Sequence, residues 1–245
     1  MLYFDEYGDN SRPAILLLHG AAALDVFCRQ YCLAQKYYLI VPHLPGAGKA
    51  ADRAYEPEKL TGELLKLIDR LPQKKVGVIG HSLGAQLAVR LVSVRPESFR
   101  FAVFLSAWVD PKPETVQMYC RWSAIMVEML HWKWLVRLSG RYWQYTREQA
   151  DFMAEYTKHI TAKIYRSFFE NTLDLQKLPA YFAVDIPMLA ICAAGETQDM
   201  KTSLHLLGGN PHCRTMSLPA GGHDFPVRQA KQLNPILEKF IQDCT

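Results

Sequence analysis

The chain has few of the features that would assign it quickly. Its 245 residues contain six cysteines, and no two stand in a Cys-x-x-Cys spacing, which argues against a zinc ribbon or a dithiol redox site. Cys28 and Cys32 share one face of a helical pattern and Cys192 lies in an apolar run, so they read as reduced thiols of a cytoplasmic protein. No run of five or six like charges occurs. The formal surplus of +4 over 28 basic and 24 acidic residues is dispersed, so the charge argues for neither nucleic-acid nor membrane binding. No stretch approaches 18 apolar residues, so no membrane span is expected. The segment 1–8 is acidic and aromatic, without the basic and apolar regions of a secretion signal. There is no internal repeat. The eight histidines include no His-x-x-x-His with a glutamate, and His205 and His212 fit no ligand spacing, so no metal is expected. Gly46-x-Gly48 lacks a following phosphate-binding helix, so no nucleotide cofactor is expected either.

What is present is a rhythm. With 49% hydrophobic residues the chain can bury a sizeable core as one α/β domain. Short apolar runs at Ala14–Leu18, Tyr37–Val41, Val76–Ile79, Phe99–Leu105 and Met188–Ala193 alternate with helical patterns, and Arg214–Leu218 reads as a further strand. One such pattern follows residue 23 through Phe27, Tyr31 and Leu33. Another runs from Pro57 through Leu60, Leu64, Leu67 and Ile68, another behind Ser82, a short one over 200–207, and the last from Pro226 to Ile241. Leu2–Tyr7 reads as a short edge strand. Strands that are apolar throughout and separated by helices predict a mostly parallel sheet covered on both faces. The rhythm stops between Pro111 and Val184, where aromatic-rich helical patterns replace it and where all five tryptophans lie between Trp108 and Trp143. An insertion there would sit across the C-terminal edge of the sheet. The expected division is a core of 1–110 and 185–245 with a helical lid of 111–184.

The stretch Val76–Gly84 ends an apolar strand in Gly80–His81–Ser82–Leu83–Gly84. Taken alone, this is also what a serine-capped helix start would show. In a strand–turn–helix context, the flanking glycines allow a sharp reversal and leave Ser82 exposed at the head of the sheet. A serine after a central strand and His223, after the last strand, would meet at the same sheet edge. The imidazole has the unperturbed pKa needed to take the serine proton, and a carboxylate is then required to orient it.

With His19–Gly20 after an early strand, the Pro45–Gly46–Ala47–Gly48 loop, the Gly80–Gly84 motif and Gly222–His223 before a terminal helix, the sequence resembles the α/β-hydrolase superfamily over essentially its full length. The resemblance implies that the chain begins near the family's second strand. It implies Ser82 as nucleophile, His223 as base, and the backbone N–H groups of Ala21 and Leu83 as an oxyanion hole, with His19 shaping the oxyanion loop. The family often places its acid three residues after a glycine at the end of the penultimate strand. Here that position is Gln198, with Asp199 one step later and Glu196 two steps earlier. Asp199 is the first candidate. Glu196 and Asp110 are the alternatives, and each of these carboxylates could equally be a helix-terminal charge or cap.

The expected activity is hydrolysis of a carboxylic ester or related acyl compound by a cofactor-free serine hydrolase, on a small molecule with an apolar or aromatic part. A thioesterase or carbon–carbon bond hydrolase would use the same three roles, and a non-catalytic ligand-binding member would lack a working acid. A homodimer is left open.

Overall fold

The computed structural model describes residues 2–244. Seven strands form one sheet: β1 Phe4–Tyr7, β2 Ala14–Leu18, β3 Tyr38–Pro42, β4 Val76–His81, β5 Phe99–Leu105, β6 Met188–Ala193 and β7 Cys213–Leu218. Their order is β1-β3-β2-β4-β5-β6-β7. All pairings are parallel except that of β1, which runs antiparallel along the outer edge of β3. Helices α1 (Pro57–Ile68), α2 (Leu83–Val94), α7 (Gln198–Leu207), α8 (Phe225–Arg228) and α9 (Ala230–Cys244) belong to this framework. Between β5 and β6 come α3 (Pro113–His131), α4 (Lys133–Tyr142), α5 (Arg147–Tyr156) and α6 (Ala162–Glu170). The architecture is the expected mostly parallel α/β sheet flanked by helices.

The apolar runs are buried on both faces because alternate side chains serve different cores. Leu16, Leu18, Val78 and Phe104 pack with Leu87 and Leu91 of α2 on one side. Ile15, Leu17, Ile79 and Val103 pack with Leu237 and Phe240 of α9 on the other. Each fully buried aliphatic side chain of this kind contributes about 1.5–3 kcal/mol. The last part of the stretch between β5 and β6 also joins the first core. Leu173, Leu175, Tyr181 and Val184 are buried there, and the Leu173 N–H donates to Gln86 Oε1 at 2.8 Å.

The helix expected after residue 23 is instead two 3-10 segments, Leu24–Phe27 and Tyr31–Gln35. Leu24, Val26 and Phe27 are all buried, a distribution no single α-helical stripe provides, and a three-residue turn brings Leu24 and Phe27 to one side. The terminal helical region is likewise divided, with one residue, Gln229, between α8 and α9.

The chain passes from β2 out to β3 and then returns across β2 to β4. This reversal places the C-terminal ends of β2 and β4 at a topological switch point, where ligands of open α/β sheets bind.

One half-buried carboxyl joins core and insertion. Asp25 accepts a hydrogen bond from Gln149 Nε2 of α5 at 3.1 Å, and burial, chiefly, pushes its pKa from the ordinary 3.8 up to about 6. Between those values the folded protein holds more protons than the unfolded chain, so Asp25 makes stability fall as pH rises through that window. Asp25→Asn is expected to stabilise the protein by about 1–3 kcal/mol near neutral pH, and the gain should vanish below the window. Denaturant melts of both proteins across pH check this.

Candidate active site

Ser82 sits between β4 and α2 at φ 54°, ψ −116°, a conformation costly for a residue with a side chain and common where a site demands it. Packing imposes it. A Cβ on Gly84 would lie 1.9 Å from the Leu18 carbonyl oxygen, and one on Gly80 would lie 2.3 Å from the Gly84 oxygen. The strand, the turn and the first helical residues therefore approach backbone to backbone. The Ser82 N–H donates to the Leu105 carbonyl at 2.8 Å, pinning the turn to the end of β5. Gly84→Ala should lower Tm by roughly 5–10 °C through overpacking. Gly62→Ala in α1, where no atom lies within 4 Å of the added carbon, should stabilise by up to about 1 kcal/mol. Paired thermal melts test the contrast.

The loop after β2 passes beside Ser82. Its shape is set by His19, which is fully buried. Nε2 accepts from the Leu44 N–H at 3.0 Å, so Nδ1 carries the proton and donates to the Gly20 carbonyl at 2.7 Å. Burial pushes its pKa down to about 4, so it stays neutral and structural. Ala22 adopts φ 53°, and the Tyr156 hydroxyl of α5 donates to its carbonyl at 3.0 Å. Among the described residues, neither the Ala21 nor the Leu83 N–H donates to a backbone acceptor, and both residues line the cavity that contains Ser82.

The loops after β6 and β7 are tied together by backbone hydrogen bonds, from Gly195 N–H to Gly221 O at 2.9 Å and from Ala194 N–H to Leu218 O at 2.9 Å. This brings Glu196 against His223, with Oε2 3.2 Å from Nδ1. The Glu196 side chain is only 2% exposed, and its other oxygen accepts from the Ser106 hydroxyl. Ser106 stands one residue beyond β5 at φ 50°, its N–H held by the Ile191 carbonyl at 2.9 Å. Neither Ser106 nor Tyr156 was singled out by sequence. The only signal for Ser106 was its place at the carboxyl end of a buried strand.

Of the three carboxylate candidates, Glu196 is the one the structure places against the imidazole. Asp199 lies in the first turn of α7 and pairs with Lys112, Nζ to Oδ1 3.3 Å, so it borders the cavity but does not touch the imidazole. The reason is where α7 starts. Thr197 is its N-cap, so Glu196 remains in the tied loop while Asp199 is already turned with the helix. Asp110 does not line the cavity, and its carbonyl accepts from Trp108 Nε1 at 3.2 Å.

His81 adds a support. Its Nε2–H donates to the His223 carbonyl at 2.8 Å, leaving Nδ1 as a bare acceptor, buried and unpartnered among the described residues. Burial first, and the neighbouring His223 second, hold its pKa well below the ordinary value. The neutral ring braces the His223 loop and does not compete as a base.

Ser82, Glu196 and His223 all line one cavity of about 400 Å³. Ser82 Oγ and His223 share it without a direct hydrogen bond, and catalytic hydrogen bonds of this kind often tighten only around substrate. Side chains of the insertion form the far wall. Tyr119 stacks on Phe169 at 4.7 Å between centroids and meets Trp108 edge-on at 5.8 Å, with Trp143, Tyr165 and Phe168 beside them.

Sheet order, elbow and the loops after β6 and β7 define a class, and residues 13–185 match the alpha/beta hydrolase fold family. The chain belongs to that family. Among curated proteins it is similar to RutD of Stutzerimonas stutzeri, provisionally named a carbamate hydrolase, with 25% identity over 95% of this chain and 93% of that protein. Among solved structures it resembles E-2-(acetamidomethylene)succinate hydrolase, with TM-score 0.81 and 19% identity over 98% of this chain and 95% of that one. It also resembles a carboxylesterase structure from Nitrososphaera gargenis, with TM-score 0.77 and 17% identity over 99% and 94% of the two chains.

Proposed function

We propose that the protein is a serine hydrolase that cleaves a carboxylic ester or a related acyl bond, with Ser82 as nucleophile, His223 as general base and acid, and Glu196 as the orienting carboxylate. The observation that carries this reading is the contact of buried Glu196 with His223 Nδ1 in a cavity shared with the strained Ser82. Glu196 fixes the imidazole with its proton on Nδ1, leaving the Nε2 lone pair to take the serine proton. Ser82 Oγ then bonds to the substrate carbonyl carbon, and the carbonyl oxygen becomes an oxyanion facing the Ala21 and Leu83 N–H groups. Collapse breaks the bond to the leaving group, which departs with the proton from His223. Water attacks the acyl-enzyme in the same way, giving its proton to His223, and the acid product is released as the proton returns to Ser82 Oγ. The scheme uses no cofactor.

The insertion acts as the lid of this site. Its aromatic wall suits an acyl or alcohol part that is apolar or aromatic, and the volume of about 400 Å³ suits a small molecule. The relative named for a carbamate substrate extends the class of acyl compounds worth screening. All six cysteines are free, which supports a reducing cytoplasmic setting.

Labelling with a fluorophosphonate probe, read by intact mass, tests the reading. Rapid addition of one probe to the wild type, absent in Ser82→Ala, is the expected result. A folded wild type that reacts with neither this probe nor a small sulfonyl fluoride would overturn it in favour of a ligand-binding protein.

A further inference from the structure

The outer surface of the insertion is built like an interfacial anchor. On α3 the residues Met118, Trp122, Ile125, Met126 and Met129 recur at three- and four-residue spacings and so share one side of the helix. All five are exposed, Trp122 by 53% and Ile125 by 52%, while Ser123 and Val127 are the buried members of that helix. The stripe continues beyond the break at Trp132. Trp134, Leu138 and Tyr142 follow one another every four residues along α4 and are 64%, 53% and 59% exposed, and Trp132 and Trp134 stack at 6.1 Å. An apolar surface of this extent marks an interaction site.

Its charge names the partner. Helices α3 and α4, residues 113–142, carry four Lys or Arg against two Asp or Glu, and of the four cations Lys133 and Arg137 pair with Glu155 and Asp151 of α5. Arg121 and Arg141 adjoin the stripes, and among the described residues neither has an ion-pair partner. Between α4 and α5 runs a groove of about 650 Å³ lined by Trp134, Leu138, Arg137, Arg141 and Arg147, with Asp151 as its carboxylate. Asp151 binds Arg137 at 2.5 Å and Arg147 at 3.9 Å, so three guanidinium groups face one carboxylate. Tryptophan, tyrosine and aliphatic side chains beside unneutralised arginine suit the headgroup level of an anionic bilayer. A second copy of the chain suits the surface less well, because self-pairing would bring the unpaired arginines together. Among the described residues no helix is long and apolar enough to cross a membrane, so attachment would be peripheral.

We propose that the outer face of α3 and α4 docks on an anionic phospholipid surface, with the apolar stripes in the interface and the arginines among the headgroups. Tyr119, next to Met118, lines the catalytic cavity and is itself 37% exposed, so the stripe is continuous with the cavity wall. An apolar substrate dissolved in the bilayer would meet the cavity along that path. The docking surface does not rest on the assignment of the reaction, since binding is read without turnover.

The test uses the full chain and its own tryptophans. Vesicles of phosphatidylcholine and phosphatidylserine in equal parts are expected to co-sediment the protein and shift its tryptophan emission to the blue, with binding roughly tenfold or more weaker to phosphatidylcholine alone or in high salt. Trp122→Ser combined with Trp134→Ser should reduce binding to the anionic vesicles by roughly tenfold or more. Arg121→Gln with Arg141→Gln should do so by a similar factor while leaving probe labelling of Ser82 unchanged. All four side chains project from the surface, and circular dichroism confirms that the variants fold. Light scattering should show a monomer at every concentration. Failure of the wild type to bind either vesicle overturns the proposal, as does a dimer that the tryptophan variant converts to monomer.

Discussion

Ser82→Ala is expected to lower kcat for a chromogenic ester by roughly 10⁶-fold, to the residual rate that an oxyanion site and binding supply without a nucleophile. The loss should fall on kcat, because the hydroxyl removed bonds to the substrate only on the way to the acyl-enzyme. The fold should survive, since the conformation of residue 82 is held by backbone contacts at Gly80, Gly84 and the Leu105 carbonyl and the serine side chain makes no hydrogen bond that caps α2. Initial rates on purified wild type and variant, with matched thermal melts, measure the effect. Ester turnover in the variant within tenfold of the wild type would remove Ser82 from the reaction.

Glu196→Gln should cost roughly 10³–10⁴-fold in kcat. The amide keeps the volume of the side chain and can keep a bond to Ser106, but it no longer stabilises the imidazolium and can select the wrong imidazole tautomer. Asp199→Asn should change the rate by less than about fivefold, because it removes only a surface ion pair worth at most about 1 kcal/mol, here with Lys112. The two variants compared side by side, by turnover and by rate of phosphonate labelling, separate the two carboxylates. A large loss in the Asp199 variant with a near-normal Glu196 variant would mean that the loop rearranges around substrate and that the acid is Asp199.

The five central strands were legible because burial on both sheet faces makes each a nearly continuous apolar run, and the boundaries of all seven fell within a residue or two of those observed. The serine elbow was legible because backbone contact at Gly80 and Gly84 tolerates no side chain. The acid was not. Glu196, Gln198 and Asp199 lie within four residues, and which one reaches His223 depends on the backbone tie between Gly195 and Gly221 and on the helix starting after Thr197. Four polar residues in a row leave the helix start open, and the tie joins residues 26 apart in sequence. Ser106 and Tyr156 were missed for the same reason: a hydroxyl on a carboxylate 90 residues away, or on a loop carbonyl 134 residues away, leaves no local pattern.

Local periodicity and glycine placement therefore determined, from sequence alone, an α/β sheet with Ser82 and His223 at one edge and a helical insertion between β5 and β6. Tertiary structure decided which carboxylate meets the imidazole, which histidines are held neutral by burial, and which face of the insertion remains uncovered. These depend on through-space distance and desolvation, quantities that residue order leaves open until the chain is packed.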